Sequence, residues 1–231
     1  MPLSFLHSAT IDRNKVLSVQ VYEILLNAIV DLDLTPGTAI VKEDVGKALG
    51  VSRTPVSEAI AKLAEDRLVD VFPQRGTYVS KIRISDVKES AFIRQALEVA
   101  IARQVAEHHS DEMLSTLTRN VRYQKMSLAE NDYEIFYQLD EEFHQLLCEF
   151  TGFSRLRRVI EGAYAQLARV RKLQLSEPGR PEDTYLEHKA ICDALRNSDG
   201  DGAAKAMTVH VSKVVALIDI MFSEQPELFA D

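Results

Sequence analysis

The sequence predicts a mainly α chain in two parts: three helices with a small β-hairpin, then an all-helical bundle. Three observations carry this. Leu49-Gly50-Val51-Ser52-Arg53-Thr54-Pro55-Val56-Ser57-Glu58-Ala59-Ile60-Ala61-Lys62-Leu63 reads as a tight turn feeding a short amphipathic helix. Leu68–Phe72 and Thr77–Ser80 are β-prone runs separated by Pro73-Gln74-Arg75-Gly76. From Ser85 onward apolar residues recur at helical spacing and no strand pattern intervenes.

Taken in order, Val16–Leu32 forms a first amphipathic helix through Val19, Tyr22, Leu25, Leu26 and Ile29, and Leu34-Thr35-Pro36-Gly37-Thr38 turns the chain. Glu43–Leu49 is the second helix; Gly50 ends it by taking a left-handed conformation. Ser52 is placed to cap the third, Thr54–Arg67, and Pro55 is tolerated in a first turn whose backbone N–H has no partner. Ala59, Ile60, Leu63 and Ala64 commit one face to a core, which leaves Ser52, Arg53, Thr54 and Ser57 at the exposed leading end. The hairpin follows, then a short linker, Lys81–Asp86. Six helices are expected near Asp86–Glu107, Asp111–Glu130, Tyr133–Phe150, Ser154–Leu175, Pro181–Asn197 and Gly202–Phe222, broken at Asn131-Asp132, Thr151-Gly152, Pro178-Gly179-Arg180-Pro181 and Asp199-Gly200-Asp201-Gly202. The expected domains are therefore residues 11–80 and 87–224, joined by 81–86.

A short helix with polar donors at its leading end, entered through a tight turn, is built to enter the major groove. Gly76 beside Arg75 lets the hairpin tip approach a phosphate or the minor groove, as a wing does. Ser52, Arg53, Thr54, Ser57, Arg75 and Gly76 are the candidate DNA contacts. Charge opposes nonspecific binding: the chain carries a net −8, and residues 1–80 hold eight Lys/Arg against ten Asp/Glu. Affinity must come from placement, with Lys47, Arg53, Lys62 and Arg75 on one face, Asp31, Asp33 and Asp70 elsewhere, and a homodimer doubling the phosphate contacts on a palindromic operator. The turn Gly50-Val51-Ser52-Arg53-Thr54-Pro55-Val56 and the wing Pro73-Gln74-Arg75-Gly76-Thr77-Tyr78-Val79 resemble those of the GntR superfamily of bacterial transcription regulators, which implies a winged helix-turn-helix. Two departures stand out. Ser57 occupies a position where many relatives have a second Arg, and Arg67 replaces a Gly common before the wing, read here as a solvated helix-end charge or a phosphate contact.

The second signal lies in the helical half. Asp140 and His144 stand at i and i+4, so they share one helix face and can grip one ion. His188 and His210 lie in two later helices among apolar neighbours (Tyr185, Ile191 and Leu195; Met207, Val211 and Val214), which turns both toward a bundle interior. Three imidazoles and a carboxylate suit zinc first, with nickel, manganese or iron also compatible, and leave room for exogenous oxygen ligands when coordination exceeds four. Taken singly, each His reads more readily as a hydrogen-bonded core residue. The pattern of Asp-x-x-x-His followed by one His on each of two later helices resembles the FCD effector domain of FadR-type GntR regulators. The resemblance implies an antiparallel bundle, a divalent metal at Asp140, His144, His188 and His210, and a small carboxylate effector (a hydroxy acid, dicarboxylate or sugar acid) completing its shell.

Arg94, in Ile93-Arg94-Gln95-Ala96-Leu97-Glu98, has two readings: an ion pair with Glu98, or a bidentate fork for the effector carboxylate. Tyr137 likewise either packs in the core or offers its hydroxyl to the same cavity. His7, His108 and His109 are not expected to hold metal; the adjacent pair reads as a solvated helix cap.

No enzyme is expected. Glu141-x-x-His144 resembles half of a di-iron carboxylate motif, but neither His188 nor His210 has a Glu three residues before it, and there is no HExxH, P-loop, nucleophile elbow or dinucleotide fingerprint. The helical half could alternatively serve dimerisation alone. No apolar run reads as long enough to span a bilayer, and the opening residues lack a signal peptide's basic region and apolar length, so a cytoplasmic protein without a membrane partner is expected. Cys148 and Cys192, far apart and outside any CxxC pair, read as buried free thiols.

Overall fold

The structure is a computed structural model that describes Leu6, residues 9–175 and residues 178–230. The chain divides into two compact units, one of residues 1–86 together with 220–231, the other of residues 87–219.

The first unit contains α1 (Leu17–Val30), α2 (Lys42–Leu49), α3 (Arg53–Glu65), β1 (Val69–Phe72), β2 (Gly76–Val79) and β3 (Ile82–Arg83). Val21, Leu25 and Ile29 recur along α1 and are fully buried, as are Val45, Val56, Ile60 and Leu63 on the next two helices. Burying each such side chain contributes about 1.5–3 kcal/mol before entropy is counted, so these residues define the core. Gly50 ends α2 at φ +65°. Gly46 lets α2 and α3 close on one another: a Cβ there would stand 3.0 Å from the Val51 carbonyl oxygen and 3.8 Å from Val56. β1 and β2 pair antiparallel with Val69 opposite Val79 and Phe72 opposite Gly76, which puts Arg75 at the exposed tip.

Three local expectations change. Ser52 stands at the N-cap of α3 in extended backbone (φ −72°, ψ 171°), but its side chain makes no capping hydrogen bond, so it keeps its hydroxyl for solvent or a ligand. Arg67 keeps its side chain 62% exposed, as a solvated helix-end charge would, yet it is also tethered to the fold. It adopts φ +58°, a conformation that explains a glycine preference there, and its guanidinium donates to the buried Asp86 at 2.6 Å. Residues 81–86 are not a plain linker. Ile82 and Arg83 form a strand, and α4 (Ile84–His108) starts immediately after it. The strand pairs in parallel with β4 (Phe229–Ala230), Ile82 opposite Phe229, a strand that two residues of sequence could not announce.

The second unit holds most of α4, then α5 (Asp111–Ala129), α6 (Tyr133–Phe150), α7 (Leu156–Leu175), α8 (Arg180–Arg196) and most of α9 (Gly200–Glu224). The ends follow from sequence. Ser110 accepts from the Met113 N–H and Asp132 from the Ile135 N–H, starting α5 and α6. The core runs through Ile101, Val105, Leu117, Phe143, Leu147, Ile191, Leu195, Met207 and Val211, and also buries Cys148 and Cys192 as free thiols. Burial pushes the Cys192 thiol up to about 12, so it is inert. By length and composition α9 is long and apolar enough to cross a membrane, where the sequence reading expected no run of that length, although Lys205, Lys213 and Asp219 do interrupt it. A buried core helix passes the same test, and Ala203, Met207 and Val211 of α9 lie in the core just described.

Candidate metal centre and nucleic-acid interface

Asp140 and His144 project from one face of α6, His188 from α8 and His210 from α9. All four are buried, and one ligand atom from each lies within 4.8 Å of the others. The His210 Nε2 stands 3.1 Å from that of His144 and 3.3 Å from that of His188; the Asp140 Oδ1 stands 3.7 Å and 3.5 Å from His144 and His188 Nε2. Around zinc, with bonds of about 2.0–2.1 Å, tetrahedral geometry puts neighbouring ligand atoms roughly 3.3 Å apart.

The protonation of the rings decides what that convergence means. His144 Nδ1 is 2.9 Å from Glu98 Oε2, and His210 Nδ1 is 2.7 Å from Glu187 Oε2. Carboxylates only accept, so both Nδ1 atoms carry the proton. For His188 the argument is longer. Asn120 Nδ2 donates to Glu142 (2.8 Å) and to the Leu139 carbonyl (3.1 Å), so its Oδ1 is the atom that accepts from Gln124 Nε2 (2.7 Å); Gln124 Oε1 then accepts from His188 Nδ1 at 2.9 Å. Every Nε2 is therefore a proton-free lone pair facing the others; that of His144 accepts from Arg94 Nη2 at 2.8 Å, and those of His188 and His210 are placed for a cation between them. The donor set fits a divalent metal.

Electrostatics agree. Burial, and then the neighbouring imidazoles, hold His188 and His210 well below the ordinary histidine range, so both stay neutral and able to ligate. Burial alone would raise Asp140, but the Arg171 guanidinium donating to Oδ2, with His144 next to it, keeps the carboxyl well below the usual carboxylate range. Phe143 stacks on His188 with ring centroids 4.0 Å apart and planes at 17°, fixing that ring.

Beside the ligands lies a cavity of about 20 Å³, lined by Arg94, Arg171, Gln174, Arg180 and Thr184 with Val214. Arg94 makes the ion pair with Glu98 and also lines the cavity. Its Nε donates to Glu98 at 2.8 Å while Nη2 reaches His144 Nε2 at 2.8 Å. Tyr137 is buried with its hydroxyl donating to Glu141 at 3.0 Å and Lys172 over its ring, and it is not among the residues lining the cavity. His108 is exposed and its Nδ1 donates to the Gln104 carbonyl, a helix-end contact, while His109 lies beyond the end of α4. His7 falls outside the described residues. Glu98, Gln124, Glu187, Arg171 and Arg180 are neighbours of the candidate site to which sequence reasoning gave no site role. Of these only Glu98, at i+4 from Arg94, left a signal.

In the first unit, Ser52, Arg53 and Thr54 are exposed at the start of α3 with Ser57 half-buried one turn on, and Arg75 and Gly76 are exposed at the hairpin tip. Arg53 meets Glu43 at 3.4 Å with both side chains exposed, a pair worth at most about 1 kcal/mol, which a phosphate or base edge can displace. Asp70 is bound by Arg83 at 2.7 Å and Asp66 by Lys62 at 2.9 Å, which neutralises two carboxylates near this face.

Residues 17–79 match the family described as bacterial regulatory proteins, gntR family, and residues 89–213 match the FCD domain. The HTH-type transcriptional repressor RspR of Escherichia coli K12 is 34% identical over 212 residues, covering 92% of this chain and 93% of that protein. Among solved structures, E. coli McbR/YncC superposes with a TM-score of 0.77 at 19% identity over 89% of this chain and 98% of that one. A transcriptional regulator from Rhodococcus sp. RHA1 gives 0.72 at 24% identity over 87% and 96%. At these identities the two structures show that the fold is shared.

Proposed function

Because the chain belongs to the gntR family of bacterial regulatory proteins and carries an FCD domain, we propose that it is a homodimeric repressor whose operator affinity is set by a small carboxylic acid bound at a divalent metal. The observation that carries this reading is the set of three proton-free Nε2 atoms and the Asp140 carboxylate converging beside an arginine-lined cavity. Zinc suits the set, and as a Lewis acid it would supply an anchoring point for a carboxylate oxygen. Arg94 supports the effector role. Its Nη2 donates to the His144 lone pair that a metal would claim, so metal binding redirects that N–H toward an incoming acid. The helical unit acts as a sensor and not an enzyme, since its polar groups are spent on holding ligands and no second carboxylate-histidine half-motif accompanies Glu141 and His144.

On the DNA side, two copies of α3 occupy successive major grooves of a palindrome in the cytoplasm, with Arg53 reading a base edge and Ser52, Thr54 and Ser57 contacting phosphate or bases. Arg75 and Gly76 follow the backbone. The related RspR is named a repressor, which favours repression relieved by the acid. The decisive experiment is elemental analysis of purified protein paired with operator titration before and after chelation. One divalent ion per chain, lost in His144→Ala, is expected; full metal content in that variant would remove the site.

A further inference from the structure

Within that metal-and-acid reading, on which this inference rests, the cavity also states how much charge the acid carries. Each guanidinium in its wall already faces a carboxylate: Arg94 donates to Glu98 at 2.8 Å, Arg171 to Asp140, and Arg180 to both oxygens of Glu187 at 2.9 Å each. The three pairs cancel. The three imidazoles, each donating its Nδ1–H outward, are neutral. A divalent ion therefore brings two positive charges that no carboxylate of the wall offsets, in a buried place where uncompensated charge is costly.

We propose that the effector is a small dianion, one acid group completing the ion's shell and the second seated among the guanidinium groups of Arg94, Arg171 and Arg180. A monoanion would leave one charge unbalanced. Among the described residues lining the cavity Val214 alone is apolar, which offers no place for an acyl or aromatic tail. The volume of about 20 Å³ holds little more than a water, so the ligand must displace water and part the walls, which limits it to a short skeleton. Two carboxylates separated by one to three carbons meet these conditions.

The test uses the full chain loaded with zinc, its content verified by elemental analysis, titrated calorimetrically with malonate, succinate and glutarate and with the monoamide of each. The amides keep the shape and remove one charge. At least one diacid is expected to bind tenfold or more tightly than its monoamide, and the gap should fall below threefold in Arg180→Gln and persist in Arg180→Lys. Because Arg180 also steadies Glu187, zinc content is measured in each variant, and Arg94→Gln carries the same comparison if Arg180→Gln loses metal. Equal affinities for acid and amide, or no heat from any diacid while zinc stays bound, would overturn the dianion proposal alone. Failure of the wild-type chain to retain zinc would instead overturn the metal reading beneath it.

Discussion

The three imidazoles of the candidate metal centre are aimed from behind, each by an acceptor on a different helix: Glu98 on α4, Gln124 on α5 and Glu187 on α8. Outer partners of this kind fix tautomer and ring orientation, and losing one typically costs about 10–100-fold in metal affinity. Gln124→Leu should therefore bind zinc about 10–100-fold more weakly, measured by competition with a chelator, whereas His108→Ala should bind it as the parent does. Protons compete for the same rings. His188 and His210 are held below the ordinary range, chiefly by burial, so below about pH 6.5 the unfolded chain takes up protons that the native chain does not. Metal-free protein should thus lose stability as pH falls through 6.5, while Asp140, with its depressed value, keeps its contribution throughout that window. Urea midpoints at pH 7.5 and 5.5 check the sign; a higher midpoint at 5.5 would contradict it. At the other end of the chain, Arg53→Ala should cost about 1–3 kcal/mol at the cognate operator and little elsewhere. Arg75→Ala should weaken all sequences evenly and flatten the salt dependence, as read by binding isotherms from low to high salt.

Among the elements, α6 does most to build the centre. It supplies two ligands and, between them, Phe143, whose ring backs His188. Phe143→Ala should cost about 3–5 kcal/mol of stability through the cavity it leaves, and weaken metal retention with it. Urea unfolding with and without zinc separates the two effects. This helix was legible to the residue, Tyr133–Phe150, because its apolar period is regular and Asp132 caps it. The i,i+4 pair was legible for the same reason: spacing within one helix is a property of sequence. Gln124 was not, since its meeting with His188 spans 64 positions and depends on how α5 and α8 pack. Arg171 and Arg180 were not legible either, since it is the packing of the bundle that brings them to the cavity. Ser52 shows the opposite limit, a residue whose position was legible but whose hydroxyl bond was not. Gly46 was passed over, although its bare backbone sets how closely α2 meets α3. Gly46→Ala should displace the recognition helix and weaken operator binding more than it lowers the melting temperature, a comparison that gel shift and calorimetry make directly.

For the molecule as a whole, acid binding regulates DNA only if the acid distinguishes operator-bound from free protein, and linkage then requires operator to change acid affinity by the same factor. Titrating the acid with and without operator should give different dissociation constants, and identical ones would mean that binding and regulation are uncoupled. The pairing of Ile82–Arg83 with Phe229–Ala230 bears on how such a signal travels. The helical unit is spliced into the DNA-binding unit as a loop with two ends, leaving it through α4, which carries Arg94, and returning through α9, which carries His210. The clasp of β3 and β4 ties the outgoing segment to the returning one within the DNA-binding unit, and a chain ending at Gln225, which lacks that clasp, should still find its operator yet no longer release it when the acid binds.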